Sequence, residues 1–164
     1  MFLTKNFVSL IERNAEPLAK RWLEIVRADP STPTYHHWNE QQLYARVFKV
    51  YRHLGQSLSE RKKDMSSEYI ELGRHRYEEG FGLAEVIEAL IISRRVLWMK
   101  IQDDGLLDTA LDLNLALALN NKVVLFFDRA IYYTAVGYEQ AARAAQPKAT
   151  PARVSETRHS PPPA

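Results

Sequence analysis

Apolar residues recur three or four positions apart over most of the chain, and no stretch shows the strict alternation of a half-buried strand. Phe7, Ile11, Ala15, Leu18, Trp22 and Ile25 follow this spacing closely, predicting a helix from an N-cap at Thr4 to about Arg27. Pro17 lies inside it and removes a backbone donor, so the helix must kink, or stop and restart behind Asn14 with its apolar face continuous. Leu43, Val47, Val50, Tyr51 and Leu54 define the inner face of a second helix, from about Trp38 to Ser57. Residues 66–102 hold two more helices separated by Gly80-Phe81-Gly82. In the later one Leu83, Val86, Ile87, Leu90, Ile91, Leu97, Trp98 and Ile101 form a stripe that Arg94 interrupts. The last helix is expected from about Thr109 to Ala145, with Asp108 as N-cap. Leu111, Leu115, Ala118, Leu125, Phe126, Arg129, Tyr132, Tyr133 and Val136 fall near one face. A helix this long either packs against several others or projects to pair with a second chain.

The segments between these periods read as connections. Residues 29–34 (DPSTPT) hold two prolines, residues 57–65 are polar and charged, and residues 102–107 (QDDGLL) break the pattern. From Gln146 the chain is Pro-rich without apolar period, which predicts a disordered tail over 146–164 behind a helical domain over 1–145. The fold class is all-α, a bundle of about five to six helices with a long C-terminal helix.

Composition narrows the function more than it identifies it. The balance of 22 Lys and Arg against 20 Asp and Glu leaves a net charge of +2, which gives no argument for nucleic acid or an anionic membrane surface. With no cysteine, disulfides, thiolate metal sites and Cys nucleophiles are excluded. The N-terminus carries Lys5, Glu12 and Arg13 and is not a signal peptide; residues 84–101, taken as the best span candidate, carry five charges. The expectation is a cytoplasmic protein with no membrane contact.

Candidate chemistry is sparse. No two histidines share a helix at ligand spacing, so no metal site is expected; His53 or His75 would have to face an apolar pocket to hold haem. Glu78-Glu79 and Asp103-Asp104 are neighbours in sequence and point to different sides of a helix, which gives no acid/base pair. Gly80-Phe81-Gly82 is too short for a phosphate loop and reads as a left-handed helix stop with Phe81 packing down. No enzyme is expected. Arg74, His75, Arg76 and Arg94 form the one notable cluster, with Arg74 and Arg94 placed to face each other across a helical hairpin. Interhelical ion pairs with Glu71, Glu78, Glu85 and Glu88 are the plain reading, and an anion or effector site the functional one. On the last helix Phe126, Tyr132, Tyr133 and Val136 are candidates for a dimer interface.

The run from Leu72 to Ile101, with Gly73, Arg74 and Arg76 at a helix end, Gly80, Phe81 and Leu83 at the turn, and Ile91 to Arg95 beyond it, resembles the N-terminal helical sensory domain of RsbR-type stressosome proteins and related bacterial sensor kinases. The closing segment, Tyr132 to Ala142, looks like the signalling helix that leaves such domains. The resemblance implies a globin-like fold without haem and a non-catalytic input module of the stress response. It would form a homodimer and pass its signal through the last helix to a regulatory or output partner. No output domain follows residue 145 in this sequence, so the chain acts in trans or belongs to something longer. A haem- or small-ligand-binding globin-like sensor is the alternative.

Overall fold

The computed structural model describes residues 2–59, 65–104 and 109–146, and among them it contains eight helices and no strand. These are α1 (Phe2–Arg13), α2 (Ala15–Ala28), α3 (Pro33–His37), α4 (Glu40–Arg52), α5 (Leu54–Ser59), α6 (Met65–Glu78), α7 (Leu83–Asp103) and α8 (Ala110–Ala145). The count exceeds the expected five to six because two long periods are interrupted and one connection is itself helical. The first interruption is at Asn14, whose side chain donates back to the Leu10 carbonyl at 2.8 Å and does not cap α2. Pro17 then falls in the first turn of α2, where a missing N–H costs nothing. Ile11, Ala15, Leu18 and Trp22 nevertheless stay buried on one continuous face.

The residues expected to be loop at 29–34 fold partly into α3, with Pro33 at its start. Thr32 is wholly buried, and its hydroxyl donates to the Val26 carbonyl at 2.7 Å, which satisfies an orphan acceptor at the end of α2. The cap of α4 is Asn39, one residue beyond the expected start, and its side chain accepts from the Gln42 amide. The expected N-cap of α8, Asp108, lies outside the described residues. Within them Thr109 caps the helix, in a reciprocal pair with Asp112. The tail from residue 147 also lies outside the described residues.

The core stripe of α7 is rotated from the expected one. Val86, Ala89, Ile92, Ser93, Val96, Leu97 and Ile101 are buried, while Leu83, Ile87, Leu90, Ile91 and Trp98 sit at its margins. Small residues hold the centre because α2 and α4 anchor there through polar tips. Trp22 Nε1 donates to the Ala89 carbonyl at 2.9 Å, and Tyr51 donates its hydroxyl to the Ser93 carbonyl at 3.0 Å. Both rings are buried, so each polar tip must find an acceptor inside the protein.

The main departure concerns α6. The sequence suggests a packed α6–α7 hairpin, but α6 lies along α8 and meets α7 at little more than their connecting turn. Glycine is the physical reason. A Cβ on Gly73 would collide with the Thr134 carbonyl, and one on Gly137 with the Ile70 carbonyl. The two helices therefore touch backbone to backbone, and Ile70, Gly73, Thr134 and Gly137 form the crossing. Among the described residues, no other pair of helices meets through glycines from both sides.

Alanine normally stabilises a helix interior over glycine by about 1 kcal/mol. At Gly73 and Gly137 the sign should reverse. Gly73→Ala and Gly137→Ala are each expected to destabilise by about 2 kcal/mol or more, because the added methyl meets a carbonyl that cannot move aside. Urea unfolding measures this, and a neutral or stabilising result would remove the close crossing.

Candidate functional site

The turn after α6 is built from its backbone outward. Gly80 has φ +82°, the left-handed conformation that glycine adopts without penalty. The Phe81 amide donates to the Arg76 carbonyl and the Gly80 amide to the Tyr77 carbonyl, both at 3.0 Å, which closes the end of α6. The side chain contact that usually accompanies this motif is apolar. Here the Arg76 guanidinium lies 5.7 Å from the Phe81 ring centre, a cation over an aromatic face. Phe81 is 1% exposed and plugs into the rings of Tyr35 in α3 and Trp38 at its C-terminal cap, 4.7 and 4.6 Å away between centroids. Trp22 meets Tyr35 edge-on at 6.1 Å and extends the box into the core.

Charge gathers on the rim of this box. Arg46 of α4 grips Glu79 with both terminal guanidinium nitrogens, Nη2 at 2.5 Å and Nη1 at 3.1 Å, and Arg76 reaches the same carboxylate at 2.9 Å. Arg76 is the most enclosed of the three, its side chain 12% exposed. Burial, and then repulsion from Arg46, pull its pKa below the usual arginine value. Burial pushes the Glu79 carboxyl up, but the Arg46 and Arg76 guanidiniums outweigh that and hold it below the ordinary range. Burial pushes the Tyr35 phenol up to about 12, so it stays neutral, its oxygen accepting from the Arg76 guanidinium. On the far side Tyr138 of α8 donates its hydroxyl to the Phe81 carbonyl at 2.8 Å and meets Tyr77 edge-on at 5.3 Å. One turn thus connects α3, α4, α6 and the last third of α8.

The four residues singled out from the sequence do not converge. Arg74 pairs with Glu71 and Glu78 on its own helix, half exposed. His75 also pairs with Glu71, at 3.0 Å. Arg94 reaches Asp128 of α8 at 3.1 Å, and Glu85 accepts from the Thr34 amide and hydroxyl. The expected Arg74–Arg94 confrontation fails because α6 packs on α8 and not on α7. Only Arg76 takes part in the enclosed cluster. Arg46, Glu79, Tyr35 and Trp38 were missed, since nothing in local spacing joins α3 and α4 to a turn more than thirty residues on. His53 and His75 are both exposed, whereas a haem ligand would sit against an apolar pocket. Among the described residues, no group of three or more His, Asp or Glu is placed to hold a metal ion.

The candidate interface residues also divide. Phe126 is buried in the chain's own core, edge-on to Tyr69 at 5.9 Å and to Phe127 at 5.2 Å. Tyr133 and Val136 are half-buried, whereas Tyr132 is 63% exposed. Leu111 (59%), Leu113, Leu117 and Leu125 (63%) share its exposure. Leu111, Ala118, Leu125 and Tyr132 recur every seven residues on the side of α8 turned away from the core. By length and composition α8 is also long and apolar enough to cross a membrane, which the sequence reading overlooked, and its most apolar window is only 28% buried. Core helices of soluble proteins pass the same test.

Fold and site together define an all-helical module with a half-buried ion cluster at one turn and an exposed apolar face on its last helix. The chain belongs to the family described as the RsbT co-antagonist protein rsbRD N-terminal domain, whose family model matches residues 16–149. That places it among signalling input domains of the stressosome type. No curated protein and no solved structure matches the chain.

Because Glu79 has a lowered pKa, its stabilising effect is complete above the ordinary carboxyl value of 4.5 and is lost as pH falls through the lower folded value. Glu79→Gln should reduce stability near neutral pH by about 2 kcal/mol, as expected for a carboxylate shared by charged donors. It should also flatten the loss of stability below pH 4.5. Urea unfolding at both pH values checks this. An equal loss at both would mean that the carboxylate is not held by the two arginines.

Proposed function

We propose that the chain is a non-catalytic cytoplasmic input domain that pairs with a second copy along α8 and regulates a partner or output domain through that helix. The observation that carries this reading is the row of Leu111, Ala118, Leu125 and Tyr132, exposed on a helix whose opposite side is core. Seven-residue apolar spacing is what a pair of helices uses to bury a shared seam. Solvent-exposed leucines so close together are costly in a lone domain, and a protein partner covering them would support the pairing. Family membership supports the signalling role, and the all-helical frame supplies elements able to shift by small translations.

The seam includes Leu125 and Tyr132 and leaves out Phe126, which the core already uses. Signal would leave through the end of α8, beyond the Gly137 crossing and the Tyr138 contact with the α6–α7 turn.

Light scattering on the full chain should give the mass of a dimer at micromolar concentration. Leu117→Glu with Leu125→Glu, both on exposed positions, should give a monomer of unchanged helix content. A wild-type monomer, or a dimer indifferent to both charges, would contradict the pairing.

A further inference from the structure

The ion cluster at the α6–α7 turn is short of acceptors. Arg46 and Arg76 bring up to ten N–H donors between them, against the two oxygens of Glu79, with about four lone-pair sites, and the Tyr35 hydroxyl oxygen that Arg76 also meets. Trp38 adds a donor with no outlet, because its Nε1 is out of solvent and has no hydrogen-bond partner. The Trp38 ring and the Arg76 guanidinium pack on the same Phe81 ring. The other acid nearby, Glu85, is occupied by Thr34. Tyr35, neutral to about pH 12, adds no negative charge. A third of the Arg46 side chain remains exposed, at 31%, and Glu79 is 26% exposed, so the cluster opens to solvent on the α4 side.

We propose that this cluster is an anion-binding regulatory site, in which Glu79 is the built-in occupant and a small carboxylate or phosphate is the effector. The anion takes the Arg46 fork and the Arg76 donors that Glu79 now holds, and Glu79 swings out to water. Planar guanidinium forks suit both chemistries, and a bidentate partner carrying more acceptor oxygens than Glu79 fills the deficit. Glu79 and Phe81 belong to one helix-end motif, and Phe81 gives its carbonyl to Tyr138 of α8. Exchange at Glu79 therefore loosens the α4 tie and reaches the exit end of α8 through two residues of backbone. The regulatory meaning rests on the input-domain reading above, but the binding itself does not.

The test is an NMR titration of the full chain with inorganic phosphate and, separately, succinate, following the Trp38 indole signal assigned with Trp38→Phe. The expected result is a saturable shift with at least one of the two, which also says whether phosphate or carboxylate is the better fit. Glu79→Gln, which removes the internal competitor's charge, should bind the same anion at least about tenfold more tightly. Arg46→Gln should abolish the shift. If that variant loses helix content, Arg46→Lys, which keeps the charge and loses the fork, should weaken binding instead. No saturable shift in either wild type or Glu79→Gln, or a shift that survives loss of Arg46, overturns the site. Mass by light scattering on the same samples keeps the readings apart. A dimer that binds no anion refutes this site alone, and a monomer that binds refutes only the pairing.

Discussion

The contact of α6 with α8 through Gly73 and Gly137 is the constraint on which the rest of the architecture depends. It brings two backbones together and so fixes the position of α6 far more tightly than interleaved side chains could. With α6 held on α8, its C-terminal end hands the chain to α7 through a turn that stays tied to α8 by Tyr138, and α7 meets α8 again where Arg94 pairs with Asp128. Gly80 makes that reversal in the left-handed conformation, and Phe81 drives it home among Tyr35 and Trp38. The carbonyl of Thr134 abuts Gly73, and the Thr134 hydroxyl is buried without a partner, a local cost consistent with how little room the crossing leaves.

The turn then becomes a junction by consequence. Its backbone closes α6, its aromatic ring anchors α3 and the cap that follows it, its acid joins Arg46 of α4 to Arg76, and its carbonyl receives Tyr138. Each tie is modest alone, yet they share six consecutive residues, so none can change without the others being felt. Meanwhile α8 carries two faces of different character. One supplies Ala116, Leu119, Val123, Phe127 and Ala130 to the core, and the other leaves Leu111, Leu125 and Tyr132 in solvent.

Much of this was legible in the sequence where the physics is local. The all-α class, the break near Pro17, the inner faces of α2 and α4, the stop at Gly80 and the burial of Phe81 all follow from helical period and backbone chemistry. What failed was the choice of partner. Periodicity gives a helix its apolar side but not the helix that covers it, so α6 was matched with its neighbour α7 and Arg74 was set against Arg94. The rotation of the α7 stripe has a related cause. Ala89 and Ser93 look unimportant by hydropathy, and their value lies in carbonyls that accept from Trp22 and Tyr51, residues more than forty positions away. On α8, apolar residues lie nearly all round the first half, so the sequence could not separate the core face from the solvent face. Phe126 is buried in the core and Tyr132 is exposed.

The central claim, that the solvent face of α8 belongs to a second copy, can be read most directly by cross-linking. The chain has no cysteine, so a single one can be placed without background. Cysteines introduced one at a time at Leu111, Ala118, Leu125 and Tyr132 should form disulfide-linked dimers under mild oxidation at one or more of these positions. A cysteine at Lys49, exposed on α4, should not. Efficient linkage at several of the four would give the two α8 helices a parallel register, and linkage at one alone an antiparallel crossing. Linkage at none of them, or equally at Lys49, would contradict the account.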